Sequence, residues 1–333
     1  MKIISIERLN EIKNGFAGKN VAVIGDLMID CYFWGAVKRI SPEAPVPVVE
    51  VDDEFVRFGG AANVAYNIVT LGGKAFPVGV IGNDSDGESF KRLMEEAGIS
   101  SEGIIVDNSR PTTAKTRVIA SQQHVVRIDK ESKENISADI ENKIYSFIKS
   151  KADTLDAVIL EDYNKGVLTR DLIERVISLC EEKEIVVTVD PKLLNFFEYK
   201  NVTVFKPNRK ETEDALGTIL KTPEELSQAG KELLERLNAK YVLLTLGEEG
   251  LALFESGQPE KKIPTKARKV SDVSGAGDTV ISTLTMALAA GAEISEAAYL
   301  ANYAGGLVCE EVGIVPIKID HLFSTVGKEL KNG

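Results

Sequence analysis

The sequence predicts an α/β protein built on a mostly parallel sheet and carrying a small β-sheet lid, and three observations support this. Short, wholly apolar runs recur along the chain, separated by segments of helical period, which is the rhythm of β-α-β units. The first run, Asn20-Val21-Ala22-Val23-Ile24-Gly25, is closed by glycine, as expected of a buried central strand. Two stretches, residues 31–58 and 113–129, break the rhythm and read as strands without helices between them.

Residues 1–16 form a charged amphipathic stretch unlike a signal peptide, and no apolar run approaches membrane-spanning length. A cytoplasmic protein is therefore expected. After the first strand, residues 31–58 are rich in Val, Pro and aromatics with no helical period. Within them Ser41-Pro42-Glu43-Ala44-Pro45-Val46-Pro47-Val48 is too short for a linker and reads as an edge strand or turn, where a missing N–H is tolerated. Residues 113–129 alternate like an antiparallel hairpin. Apolar runs at 76–81, 157–160, 185–189, 202–205 and 241–246 supply further buried strands, with helical segments at 85–97, 169–182 and 223–237 among them. Helical runs also cover 280–290 and 297–308. With no internal repeat, low-complexity tract or composition shift, the expected organisation is one domain over 1–333, with lid strands inserted at about 31–58 and 113–129.

A chain of 333 residues that is 44% hydrophobic can bury a large core. Its net charge of −11 argues against nucleic acid or an anionic membrane as the main partner, since both need a basic face. Cys31, Cys180 and Cys309 lie far apart with no C-x-x-C pair, which excludes a zinc ribbon, a thioredoxin-type site and a disulfide framework. They read as small buried hydrophobes. With His124 and His321 as the only histidines, there is no H-E-x-x-H motif and little scope for a histidine triad.

The most informative stretch runs from Arg268 through Ser274-Gly275-Ala276-Gly277-Asp278-Thr279 into the helical run that follows. Glycines at a helix start leave backbone N–H groups free to meet an anion, and the helix dipole adds to the attraction. A carboxylate inside such a cradle is awkward for binding phosphate, but suits a group that takes a proton from an attacking hydroxyl. The residues alone leave this reading level with an ordinary helix-capping Asp. There is no G-x-x-x-x-G-K-[ST] loop, and no G-x-G-x-x-G follows the first strand. Asn83-Asp84-Ser85-Asp86-Gly87-Glu88 faintly resembles a calcium loop, but its first and twelfth positions would be Gly82 and Leu93, so it reads as a helix cap.

From about Val21 to Gly313 the chain resembles the ribokinase-type (PfkB-like) carbohydrate kinases. The resemblance lies in Gly59-Gly60-Ala61-Ala62-Asn63, Val189-Asp190-Pro191-Lys192, Lys206-Pro207-Asn208-x-x-Glu211, Thr245-Leu246-Gly247-x-x-Gly250 and the Gly275 to Asp278 turn, taken in order. It implies a ribokinase-like three-layer sandwich with a β lid, in which Gly275, Ala276 and Gly277 form the anion hole and Asp278 is the base. It further implies that Asp30 and Asn63 hold sugar hydroxyls, with Gly59 and Gly60 letting the chain approach the ring. Arg117, Gln123 and Arg127 of the lid, with Lys165 and Lys192, are the candidates for polar and phosphate contacts. On the nucleotide side it implies ATP, with Asn208 and Glu211 near Mg²⁺ through water, or else an N-cap and first-turn acid. Thr245, Gly247 and Gly250 would line the groove, and Asn302 and Gly306 would lie by the adenine. At Glu310-Glu311-Val312-Gly313 the sequence departs from the family, where a Lys is common before the Val/Leu-Gly pair.

Within the family, Gly25-Asp26-Leu27-Met28-Ile29-Asp30, Arg39-Ile40-Ser41-Pro42-Glu43-Ala44-Pro45-Val46-Pro47-Val48, Asp162-Tyr163-Asn164-Lys165-Gly166 and the lid segment from Thr116 to Asp129 resemble the heptose-7-phosphate kinases of bacterial ADP-heptose synthesis. The implied reaction is phosphorylation of the anomeric hydroxyl of D-glycero-D-manno-heptose 7-phosphate by ATP. A fructokinase, hexose-phosphate or nucleoside kinase of the same fold is the alternative, as is a non-catalytic sugar- or nucleotide-binding regulator. A nucleotidyltransferase domain follows in many such proteins; this chain stops at Gly333, so that second activity is expected to be absent. A homodimer through paired lids is also implied, because an exposed lid sheet would leave an apolar face uncovered.

Overall fold

The computed structural model describes residues 4–120, 123–265, 272–311 and 313–332. Residues 268–271 before the glycine turn, the tip of the lid hairpin at 121–122 and Val312 lie outside them. Helix α1 (Ile6–Gly15) leads into β1 (Asn20–Gly25), and the chain then passes without a helix into β2 (Leu27–Ile40) and β3 (Pro47–Gly60). Next come α2 (Ala61–Thr70), β4 (Lys74–Gly82), α3 (Ser85–Glu96), β5 (Ile104–Asp107), β6 (Thr113–Ala120) and β7 (Gln123–Lys130). The β-α rhythm resumes with α4 (Ala138–Lys151), β8 (Ala157–Glu161), α5 (Arg170–Glu182), β9 (Val186–Asp190), β10 (Val204–Phe205), α6 (Arg209–Leu216), α7 (Pro223–Leu237) and β11 (Tyr241–Thr245). The remaining elements are β12 (Leu251–Glu255), β13 (Lys261–Ile263), α8 (Ala276–Ala289), α9 (Ile294–Val308) and α10 (Ile319–Asn332).

Among the described residues a nine-stranded sheet has the order β13-β12-β11-β10-β9-β8-β1-β4-β5, with all strands running the same way except β12, which is antiparallel to both β11 and β13. Its central strands are apolar on both faces because both are covered. Val21 and Val23 of β1 and Ile159 of β8 join one core with helices α2, α8, α9 and α10, whereas Ala22, Ile24, Val158 and Leu160 join a second core with α4, α5 and α7. This is the expected three-layer sandwich. The strand expected at 202–205 reduces to Val204–Phe205, the residues that pair with both β9 and β11.

The second sheet, β3-β2-β6-β7, is the expected lid, with longer strands than the sequence indicated. The Pro-rich segment makes a turn, and β3 begins at Pro47 on the sheet edge. The β6–β7 hairpin is antiparallel as expected, but β2 pairs with β6 in parallel, a long-range contact with no local signal. Asp84 caps α3 by accepting from the N–H of Gly87, so the acidic segment is a helix cap.

Strand β1 ends at Gly25 where β8 comes closest, and a Cβ there would stand 1.9 Å from the carbonyl oxygen of Glu161. Gly25→Ala is expected to cost about 1–3 kcal/mol through overpacking, read as a lower denaturant midpoint. An unchanged midpoint would contradict this packing.

Candidate active site

The chain runs outward from β1 to β4 and β5 on one side and then to β8 and β9 on the other, so the carboxyl ends of β1 and β8 flank a topological switch point. Polar side chains gather there because the strands stop and the helices turn away. Asp26, buried just past β1, accepts from three backbone N–H groups: Tyr163 at 2.8 Å, Lys165 at 3.0 Å and Val167 at 3.3 Å. One side chain thus fixes the loop that follows β8. Burial, and secondarily the nearby Asp162 carboxylate, raise its pKa to about 6 against the pull of those N–H groups.

That loop carries Tyr163, whose hydroxyl donates to Oδ1 of Asp278 at 2.8 Å. Asn63, in the first turn of α2, donates to Oδ2 at 2.7 Å. Asp278 itself sits in the first turn of α8, whose cap residue Gly275 has φ 76°, the left-handed conformation that glycine adopts without strain. Helix geometry leaves the N–H groups of Gly277 and Asp278 without intrahelical acceptors. Ala276 N–H bonds back to Val273, and Asp272 braces the turn by accepting from Ser274 and Gly313. Burial raises the pKa of Asp278 above the ordinary carboxylate range, opposed by its two hydrogen bonds and by Lys206. A fixed carboxylate of raised basicity beside free amides can take a proton while an anion is held next to it.

A groove of about 710 Å³ opens from this turn. Its lining includes Tyr163, Lys192, Asn208, Thr245, Gly247, Gly275, Gly277 and Asp278, so Asn208, Thr245 and Gly247 of the residues expected on the nucleotide side meet the glycine turn there, whereas Glu211, Gly250, Asn302 and Gly306 are not in its lining. Lys206 and Asp190 form a buried ion pair at 2.7 Å that borders the turn at Gly277. Asn208 and Glu211 form a capping box at the start of α6: Glu211 N–H donates to the Asn208 side chain, and Asn208 N–H donates to the Glu211 carboxylate, each at 2.8 Å. Lys192 donates to the other carboxylate oxygen of Glu211. Among the described residues no cluster of three or more His, Cys, Asp or Glu could hold a metal ion.

Gly250 closes the turn between β11 and β12, where a Cβ would meet the carbonyl of Ile263 at 2.1 Å; its place is structural. Asn302 and Gly306 lie on α9, and the Asn302 amide donates to the carbonyl of Pro264 at 2.7 Å.

On the lid side, Arg117 of β6 donates to Asp30 of β2, and Gly59 and Gly60 at the end of β3 back onto Asp30, Met28 and Asp26. Strand register aligns Arg127 with Arg117, but Arg127 is bound to Asp129 at 2.8 Å on the exposed strand β7. Gln123 pairs with Ala120, and alternation from Arg117 turns both to the opposite face; His124, paired with Ile119, occupies the inner face instead. Lys165 is not in the lining of the groove beside Asp278 and forms an ion pair with Glu131 at 2.7 Å.

Asp26, Tyr163, Asp190 and Lys206 were not singled out from sequence, although each stands inside a quoted motif. Glu161 was missed as well. It is wholly buried, neither carboxylate oxygen has a hydrogen-bond partner among the described residues, and burial together with Asp190 and Asp278 holds its pKa well above the usual range. The signal was an acid closing the apolar run of β8.

Residues 18–319 match the family model described as pfkB family carbohydrate kinase. The bifunctional protein HldE of Geobacter sulfurreducens is 44% identical over 308 residues, 92% of this chain and 63% of that protein. The HldE of Helicobacter pylori strain 26695 is 42% identical over 295 residues, 89% of this chain and 64% of that protein. The chain thus spans a little under two thirds of the length of these relatives. Among solved structures, Arabidopsis thaliana ribokinase complexed with ribose and ATP matches with TM-score 0.72 at 21% identity, covering 92% of this chain and 99% of that one. Escherichia coli phosphofructokinase-2 in complex with substrates and products matches with TM-score 0.76 at 17% identity, covering 95% and 100%. These two likenesses establish the ribokinase-like fold.

Folded Asp26 holds its proton up to about pH 6, whereas an unfolded Asp releases it near 3.8. Between those values the folded state binds more protons, so the Asp26 contribution to stability falls as pH rises from about 4 to 6. Asp26→Asn is expected to flatten that decline. It should also cost about 2 kcal/mol or more at pH 7, because the amide cannot accept all three N–H groups. Denaturant unfolding across pH checks both, and an Asn variant as stable as the parent would contradict the bracing role.

Proposed function

Because the chain belongs to the pfkB family of carbohydrate kinases, we propose that it transfers the γ-phosphoryl group of ATP to the anomeric hydroxyl of D-glycero-D-manno-heptose 7-phosphate, for ADP-heptose synthesis. The observation that carries the chemistry is the buried Asp278 carboxylate inside the helix-start turn, held from both sides by Tyr163 and Asn63. The choice of sugar rests on the motif at 39–48, the Asp162 to Gly166 loop and the lid segment, and is supported by the HldE relatives.

In this reading the acceptor hydroxyl meets Asp278 between lid and groove, and Asp278 accepts its proton as the oxygen attacks the γ-phosphorus in line. The free amides of Gly277 and Asp278 at the helix start face the phosphoryl oxygens and stabilise the charge that develops there. Tyr163 and Asn63 hold the carboxylate in one orientation, and Asp30 and Asn63 are the contacts proposed for sugar hydroxyls. Mg²⁺ bound with ATP would offset phosphate charge, with Asn208 and Glu211 reaching it through water.

The outer lid face exposes Val37, Ile40, Val51, Val126 and Ile128, which supports a homodimer through paired lids. Among the described residues no helix is long and apolar enough to cross a membrane, and the three cysteines are unpaired, in keeping with a cytoplasmic kinase. A single kinase domain with an inserted lid is the organisation this reading adopts.

Asp278→Asn is expected to lower kcat by about 10²–10⁴-fold while leaving ATP affinity within a few fold; near-normal turnover would remove Asp278 as the base. Because the folded Asp278 titrates above the ordinary carboxylate value of 3.8, the wild-type rate should fall on the acid side at a pH above that value. ADP release measured with heptose 7-phosphate, ribose, fructose, fructose 6-phosphate and adenosine tests the substrate. A clear preference for any of the last four would overturn the heptose choice.

A further inference from the structure

Most cations around the site are already matched to a carboxylate of the chain. Arg117 is on Asp30, Arg127 on Asp129, Lys165 on Glu131, Lys192 on Glu211 and Lys206 on Asp190. Lys115 of β6 differs. It is half-buried, and among the described residues no carboxylate or carbonyl accepts a hydrogen bond from its ammonium. Strand register sets it beside Asp30 on β2 and Asp129 on β7, on the lid face shared by Arg117. Its Nζ stands 5.2 Å from the centre of the Tyr163 ring. The hydroxyl of that ring is on Asp278, and Lys192 of the nucleotide groove lies over the same ring, also at 5.2 Å.

The Tyr163 ring thus has two ammonium groups at the same distance from its centre. Lys192 also lines the groove beside Asp278, whereas Lys115 belongs to the lid strand β6. A partly desolvated ammonium without a hydrogen-bonded counter-charge is costly, and burial lowers the Lys115 pKa despite Asp30. A dianion arriving from the acceptor would relieve that cost.

We propose that Lys115 is the anchor for the distal phosphate of the sugar acceptor, binding the end of the substrate opposite the hydroxyl that Asp278 deprotonates. This rests on the sugar-phosphate reading given under the proposed function. Lys115 is then a specificity-determining residue: it selects an acceptor whose phosphate and reactive hydroxyl lie at opposite ends of the molecule. Arg117, already committed to Asp30, shapes the pocket beside it.

The test compares wild type with Lys115→Gln and Lys115→Met on heptose 7-phosphate and on the same heptose without phosphate, at saturating ATP. For both variants KM for the phosphorylated sugar is expected to rise about 10- to 100-fold, the worth of one charge-assisted hydrogen bond, with a smaller change in kcat. The ratio of kcat/KM for phosphorylated over unphosphorylated sugar should collapse by a similar factor, and Lys115→Arg should restore part of it. Thermal melting shows whether each variant is folded. Folded variants that keep the wild-type KM for the sugar phosphate overturn the proposal, as does an equal loss on both sugars. A wild-type enzyme that does not favour the phosphorylated sugar instead overturns the substrate reading beneath it.

Discussion

The carboxylate of Asp26, buried past the end of β1, takes three backbone N–H groups from the loop after β8, and the geometry of the site follows from that grip. Without it the loop at the switch point would have to satisfy its own amides, and no other described side chain spans from β1 to all three. With it, Tyr163 is delivered to Asp278 across 115 residues of sequence. Asn63 reaches the other carboxylate oxygen from α2, the helix that starts where the lid strand β3 ends. The Asp278 carboxylate is therefore fixed by elements from the central sheet, the lid junction and α8 together, the preorganisation that the proposed proton transfer would need.

The same switch point concentrates negative charge. Asp26, Glu161, Asp162, Asp190 and Asp278 are all buried at or just past strand ends or in the facing turn, and among the buried residues only Lys206 answers them directly. Several therefore hold protons more tightly than free carboxyls, and Glu161, without a hydrogen-bond partner among the described residues, is the extreme case. Burial, reinforced by Asp190, raises the basicity of Asp278, which lines the groove beside Lys192 and Lys206.

Where interactions are local or strictly periodic, the sequence was legible. β1 and β8 are continuous apolar runs because both faces are covered, and α7 was bounded correctly because Pro223 starts it and its apolar stripe is regular. The glycine turn could be read as an anion cradle, and its function as base came from the family resemblance. What escaped depends on contacts between distant segments. The parallel pairing of β2 with β6 has no signature in either strand. The face taken by Gln123 is set by the register shift in the hairpin, between Val118 and Ile119, which composition does not reveal. Lys165 looked free in its motif, but Glu131 claims it in the fold. Asn208 and Glu211 could be read either as metal contacts or as a helix cap; the structure shows the cap, with Asn208 in the groove lining and both Glu211 carboxylate oxygens taken by Lys192 and the Asn208 N–H.

The central claim is that acceptor and nucleotide meet at Asp278. A crystal structure with heptose 7-phosphate and a non-hydrolysable ATP analogue tests it most directly. In that complex the anomeric hydroxyl is expected within hydrogen-bonding distance of the Asp278 carboxylate, with the γ-phosphate against the Gly277 and Asp278 amides. A sugar bound with that hydroxyl directed away from Asp278, or a triphosphate lying outside the turn, would contradict it.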